Sequence, residues 1–223
     1  MWRRVSQGLL VLALVATGCA DGGDDPPDTI AAGQGAATAV EAVNELVEAL
    51  NAAEFASASR LAMPDQAALA SLAEGATLGA VAEALREGDQ EVAANFWAGF
   101  AQGSGAFLSD TDGAADGDVV EEAGVEFHTV NLSFPSGESR VVLVREQDGF
   151  RVDIFASFGA GLADKMAAPV ERLLTTQTDD ARLVLASLGE IVPSLLVAAG
   201  QPENSAEVTQ QLLALVELIT RVG

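Results

Sequence analysis

Cysteine occurs once in the 223 residues, at Cys19, histidine once, at His128, lysine once, at Lys165, and tyrosine not at all. A single thiol cannot close a disulfide within the chain or build a cysteine zinc site. Stability must therefore come from a hydrophobic core. Nucleophile elbows of the Gly-x-Ser-x-Gly type, phosphate-cradling glycine loops and zinc-ligand spacings are also missing, so no cofactor is expected. Basic residues are scarce: 11 Lys+Arg stand against 33 Asp+Glu, a formal net charge of −22. Nucleic-acid phosphates demand a basic footprint, which excludes that class of partner. Peripheral docking on anionic lipid headgroups is disfavoured for the same reason. A large like charge also keeps a protein soluble and opposes self-association.

What is present begins at the N-terminus. Arg3 and Arg4 form a positive start, Gly8 to Val15 is a short apolar run, and Ala16-Thr17-Gly18-Cys19 closes it with small residues. This is the layout of a secretory signal peptide. The run is too short to span a bilayer, which needs about 20 apolar residues. Its ending resembles the lipobox of bacterial lipoproteins, with Gly18 directly before Cys19 and Ala16 where leucine is usual. The resemblance implies cleavage before Cys19 and a diacylglyceryl group on its thiol. The mature protein would then sit in the cell envelope, lipid-anchored on the extracytoplasmic side of a bacterial membrane. Two or more acyl chains give stable anchoring where one does not. Removing residues 1–18 discards Arg3 and Arg4 and no acid, so the mature chain keeps 33 acidic against 9 basic residues, a net of about −24.

Residues 19–35 read as a tether. Asp21-Gly-Gly-Asp-Asp-Pro-Pro-Asp28 is acidic, rich in Gly and Pro and without apolar periodicity, the signature of a solvated linker. Its flexible carboxylates lack the rigid frame that a metal site needs. The remainder divides into an α+β domain over 36–160 and a helical extension over 161–223.

The α+β part opens with helices. Thr38-Ala-Val-Glu41 is a capping-box pattern, and Val40, Val43, Val47 and Leu50 follow at helical spacing. A short helix is expected from Phe55 to Ala62, broken by Pro64. Asp65 is placed to cap a turn through Ala67–Ala73, Thr77 to cap Leu78–Leu85 with Gly88 as its stop, and Asp89 to cap Glu91–Ala101. Phe96, Trp97 and Phe100 on the last of these share a helix face and belong in the core. After Gly103 the period changes. Val119–Val120, Val125–Phe134, Arg140–Arg145 and Phe150–Phe155 are β-rich runs punctuated by turn residues, an antiparallel meander. Glu126, His128, Val130, Leu132 and Phe134 share one face of their strand, with Val125, Phe127, Thr129 and Asn131 on the other. Gln147-Asp148-Gly149 signals a tight hairpin.

This order, with Leu50–Leu61 as a helix-to-helix turn and Asp148-Gly149-Phe150-Arg151-Val152-Asp153 as the closing strand, resembles the NTF2-like superfamily over about residues 36–158. Phe150 stands where tryptophan is commoner. The resemblance implies a curved antiparallel sheet wrapped over N-terminal helices, with an apolar pocket between them. Such domains serve as enzymes, ligand binders and scaffolds, so the fold by itself names no function. The C-terminal extension is expected to form helices over Leu162–Thr176, Asp180–Ala199 and Val208–Val222. Asn204-Ser-Ala-Glu207 opens the last of them, with Leu212, Leu215 and Ile219 in register. Glu190 and Pro193 near the centre of the second make it a buried or amphipathic helix rather than a membrane span.

Candidate chemistry is thin. His128 could act as a general base with Asp153 as its acidic partner, if the two approached in a pocket; a lone strand histidine among apolar neighbours is more often packed or hydrogen-bonded. Asp110, Asp112, Asp116, Asp118 and Glu121 echo the ligand spacing of an EF-hand loop, but Ala114 and Ala115 occupy positions that need an oxygen ligand and a glycine. The leading expectation is a membrane-anchored, non-catalytic lipoprotein, lipidated at Cys19, whose α+β domain binds a small apolar ligand or a protein partner. The alternatives are an NTF2-like pocket enzyme using His128 and Asp153, and a structural or assembly lipoprotein acting through its C-terminal helices.

Overall fold

The computed structural model describes residues 35–87, 90–103, 111, 113–122, 124–135, 137–159, 161–163, 165, 179, 182, 194–198 and 201–222. The signal segment, Cys19 and the tether to residue 34 lie outside them, as does Asp89. Helices α1 (Ala39–Asn51), α2 (Phe55–Arg60), α3 (Pro64–Ala70), α4 (Leu78–Glu87) and α5 (Gln90–Gly103) precede a four-stranded antiparallel meander. Its strands are β1 (Gly113–Glu122), β2 (Val125–Phe134), β3 (Gly137–Glu146) and β4 (Gly149–Val152), in the spatial order β1-β2-β3-β4. A long helix, α6 (Pro202–Val222), closes the chain. The class is α+β, with helices before and after the sheet.

The helices start where local chemistry starts them. Thr38 holds an extended backbone, and its hydroxyl accepts from the Glu41 N–H at 3.2 Å. Thr77 does the same for the Ala80 N–H. Each satisfies one of the orphan amides of a first helical turn. Ala39, Ala42, Val43, Leu46, Ala49 and Leu50 form the buried face of α1. Val40 and Val47, expected at its centre, lie half-buried at its border. Pro64 opens α3 instead of merely ending α2, because a proline at the first helical position loses no hydrogen bond. Asp65 therefore sits inside the first turn, and the expected aspartate cap is replaced by extended Met63.

Pairing Val130 with Val141, His128 with Leu143, and Leu143 with Val152 places these side chains on one face of the sheet. Val130, Leu132, Val141, Leu143 and Val152 share a core with Val43, Leu46 and Leu50 of α1 and with Phe96, Trp97 and Phe100 of α5. The opposite face is covered too: Phe127, Val142 and Val144 pack with Ala156 and Met63. Burial on both faces accounts for the unbroken apolar run Val141-Val-Leu-Val144, where a one-sided strand would alternate.

The β4 edge is closed by two pieces of chain. Ala36 pairs with Phe150 and Ala62 with Val152. Gly35 N–H donates to the Asp148 carbonyl, and the Phe150 N–H to that of Ala36. The approach requires glycine: a Cβ on Gly149, whose φ is +138°, would lie 2.5 Å from the Gly35 carbonyl carbon and 2.6 Å from the Ala36 oxygen. The hairpin turn itself is Gln147-Asp148, with Glu146 paired to Gly149, so the glycine opens β4 instead of sitting inside the turn.

The last strand is shorter than its alternation suggests. Asp153 ends it, its Oδ1 accepting from the Ala156 N–H at 2.8 Å and capping a helical turn over 154–159. Ile154 and Phe155 are buried there as helical residues. Helix α6 likewise begins earlier than expected. Pro202 takes its first position, and Asn204 lies inside the helix, its amide donating to the Ala198 carbonyl and to Gln201 Oε1. The buried stripe of α6 is Ser205, Val208, Thr209, Leu212 and Val216. It packs on α3 and α4, and its Val208, Leu212 and Val216, with Leu196 upstream, belong to the same core as the sheet.

Candidate functional site

The buried stripe of α6 carries two hydroxyl residues, and these meet the residue the sequence offered as an acid. Ser205 donates to Asp153 Oδ2 at 2.5 Å. Gln66 of α3 donates from Nε2 to Ser205 Oγ and Thr209 Oγ1, both at 3.2 Å, while its Oε1 accepts from the Phe155 N–H at 3.2 Å. Thr209 returns its own proton to the Ser205 carbonyl. Asp153, Ser205, Gln66 and Thr209 are all buried. Burial pushes the Asp153 carboxyl up, against the hydrogen bonds from Ala156 and Ser205, which favour its ionised form. The network joins three separate segments, α3, the 154–159 turn and α6. Its members satisfy one another, which is what a buried polar cluster requires.

His128 spends its hydrogen bond elsewhere. On β2, its Nε2 lies 2.6 Å from Glu126 Oε1, and Arg145 Nη1 stands 3.6 Å from the same oxygen. The imidazole meets the edge of the Phe150 ring at 4.7 Å between centroids, and the Arg145 guanidinium lies 5.7 Å above that ring. The hydrogen bond from His128 is the main reason the Glu126 carboxyl titrates below the usual range. No hydrogen bond joins His128 to Asp153: the acid belongs to the α6 contact and the imidazole to a partly exposed cluster at one end of the sheet. The two candidate acid–base residues thus have separate partners.

Of the calcium-like spacing, Asp116, Asp118 and Glu121 lie on β1, which is extended strand and not a loop between helices. Asp110 and Asp112 lie outside the described residues. Among the described residues, no group of three or more His, Cys, Asp or Glu is placed to hold a metal ion, and no helix is long and apolar enough to cross a membrane.

One residue the sequence did not single out is Arg151. Its side chain is nearly buried and bonds Glu146 Oε2 at 2.6 Å, Asp148 Oδ2 at 2.7 Å and the Arg60 carbonyl at 2.6 Å. It ties the β3–β4 hairpin to the end of α2 and satisfies a carbonyl that the helix terminus leaves unpaired. An arginine flanked by two acids in one hairpin was the available signal.

The concave feature of interest lies away from all of these. Helices α4 and α6, with Asp65 of α3, line a groove of about 590 Å³ that is open to solvent. Ala82, Leu85, Leu213 and Val216 make its apolar floor, and exposed Asp65, Arg86, Glu217 and Arg221 its rim. Neither His128 nor Asp153 lines it. The space between sheet and helices, where an NTF2-like pocket was expected, holds Phe96, Trp97 and Phe100 in mutual ring contact, with Phe158 against Phe100. Trp97 Nε1 is buried there without a hydrogen-bond partner among the described residues.

No protein-family model, no curated protein and no solved structure matches the chain.

Proposed function

We propose that the chain is a lipid-anchored, non-catalytic binding protein of a bacterial cell envelope, holding a small apolar ligand in the groove between α3, α4 and α6. The observation that carries this reading is the groove, where apolar Ala82, Leu85, Leu213 and Val216 line a concavity beside four exposed charged residues; an apolar concavity with polar groups at hand is where small molecules bind. The signal-like N-terminus and Gly18-Cys19 support anchoring, and an acidic tether over residues 19–35 would hold the folded part in solvent. Two findings favour binding over catalysis. His128 is bonded to Glu126, and Asp153 is consumed in seating α6. The same seating favours an intramolecular role for α6 over an assembly role, since Val208, Leu212 and Val216 are already buried. Helices over a four-stranded meander are in keeping with the NTF2-like resemblance. In this reading aromatic side chains fill the cone, and the ligand site lies outside it.

The test is binding of the neutral apolar fluorophore N-phenyl-1-naphthylamine to the full chain, compared with Leu213→Glu and Leu85→Glu. Both side chains line the groove and are half-buried. A carboxylate on the floor should weaken binding by roughly tenfold or more with thermal stability retained. Equal binding by both variants would refute the assignment.

A further inference from the structure

The sheet has two edges, and they are treated differently. The β4 edge is paired with residues 36 and 62. No described residue pairs with the outer side of β1. On that open strand Val119 is 58% exposed and Val120 49%. Successive strand residues point to opposite faces, so the edge offers one valine on each side. Asp116, Asp118, Glu121 and Glu122 are exposed on the same strand, and none makes an ion pair among the described residues. Between Asp116 and Val119 the register shifts, leaving Gly117 and Asp118 opposite Thr129 alone. The Thr129 hydroxyl accepts from the Asp118 N–H at 2.6 Å and donates to its carbonyl at 3.1 Å. The bulge is thereby tied to β2, and Val119–Glu122 runs on in regular pairing with Val125–His128.

We propose that the outer edge of β1 is a strand-addition site for an extended, cationic segment of a partner protein. An open edge presents unpaired N–H and C=O groups that only another extended backbone can meet in a row. Exposed valines supply apolar contact on both faces. The carboxylates decide the occupant. A second copy of this chain would set acid against acid along the new ladder, which is destabilising, and each copy carries a formal charge of −22. A segment in which lysine or arginine alternates with apolar residues meets both the charge and the valines. The bulge and the acids thus refuse like edges and admit an opposite one.

The experiment uses the full chain and a synthetic decapeptide alternating valine and lysine, matched to the 10 residues of β1. Calorimetry measures binding, and hydrogen exchange with mass spectrometry locates it. Binding should slow exchange within 113–122 and weaken as salt rises from about 0.05 M to about 0.5 M. It should fall roughly tenfold or more in the double variant Glu121→Lys/Glu122→Lys. Both positions are exposed, so its melting should stay near that of the parent. A version N-methylated on alternate residues should not bind, because it cannot complete the ladder. The proposal is overturned by absence of binding, by protection elsewhere, or by equal binding of the N-methylated peptide or of a valine–glutamate decapeptide. A dimer of the chain alone with β1 protected would also overturn it.

Discussion

Replacing Ser205 by alanine deletes one hydroxyl from the buried face of α6, and the structure sets the cost. Asp153 Oδ2 loses the donor 2.5 Å away, while Oδ1 keeps the Ala156 N–H. Gln66 Nε2 loses one acceptor and keeps Thr209 Oγ1. The dominant loss is therefore a hydrogen bond to a buried carboxyl group, worth about 0.5–3 kcal/mol across its neutral and ionised forms. For a folded unit of this size that corresponds to a drop in Tm of roughly 1–12 °C. Urea denaturation at pH 7.5 should show a lower midpoint at unchanged slope. The effect should depend on pH in a stated direction. Burial raises the Asp153 carboxyl in the folded state, so the folded protein binds this proton more tightly than the unfolded chain. The stability associated with its neutral form is complete below the ordinary aspartate value of about 3.9, and it is lost as pH rises through the folded value. The Ser205 hydroxyl supports the ionised form. Its removal should thus cost more once pH rises past the folded value than near pH 4. A loss below about 0.5 kcal/mol at pH 7.5, within the range of a neutral surface change, would refute the network as the seat of α6. A loss that never rises as pH increases from about 4 would refute the ionised Asp153 as its centre.

Gly149→Ala forces a Cβ against the Gly35 and Ala36 backbone at a φ of +138°. It should cost about 1–3 kcal/mol in denaturant unfolding and increase proteolysis near residue 35; an unchanged midpoint would show that the edge closure can shift freely. His128→Ala should lower the Tm and remove the depression of the Glu126 carboxyl that depends on it, detectable by NMR titration, without changing fluorophore binding in the groove. Because that depression favours folding above the ordinary glutamate value and is lost as pH falls through the folded one, the variant should differ least from the parent in strong acid. Cys19→Ser should leave the protein unprocessed or soluble, while the parent's membrane-extracted N-terminus should be Cys19 bearing acyl mass; a different, lipid-free N-terminus by mass spectrometry would contradict the anchor.

Elements with local causes are legible in the residues alone. Thr38 and Thr77 cap the helices they precede, and the aromatic cluster of α5 is core because its residues share one helix face. The two faces of β2 follow from alternation alone, as does the meander that contains it. Where two local signals compete, pattern reading shifts an end. Pro64 and Pro202 open helices because the first helical position tolerates a missing N–H, which displaced Asp65 and Asn204 from their expected capping roles. Asp153 stops a strand that its apolar neighbours would have extended, by capping the turn that follows. The candidate sites arise from contacts that folding alone creates. Asp153 and Ser205 are 52 positions apart, and Gln66 and Thr209 are 143 apart, so no spacing in the chain announces their contact. Two hydroxyl residues on the α6 stripe read as surface until a buried carboxylate and amide are brought against them. The same holds for the groove, lined from both α4 and α6, and for the edge of β1 that no described residue pairs. An edge is defined by the absence of a neighbouring strand, and a neighbour is a property of the folded chain.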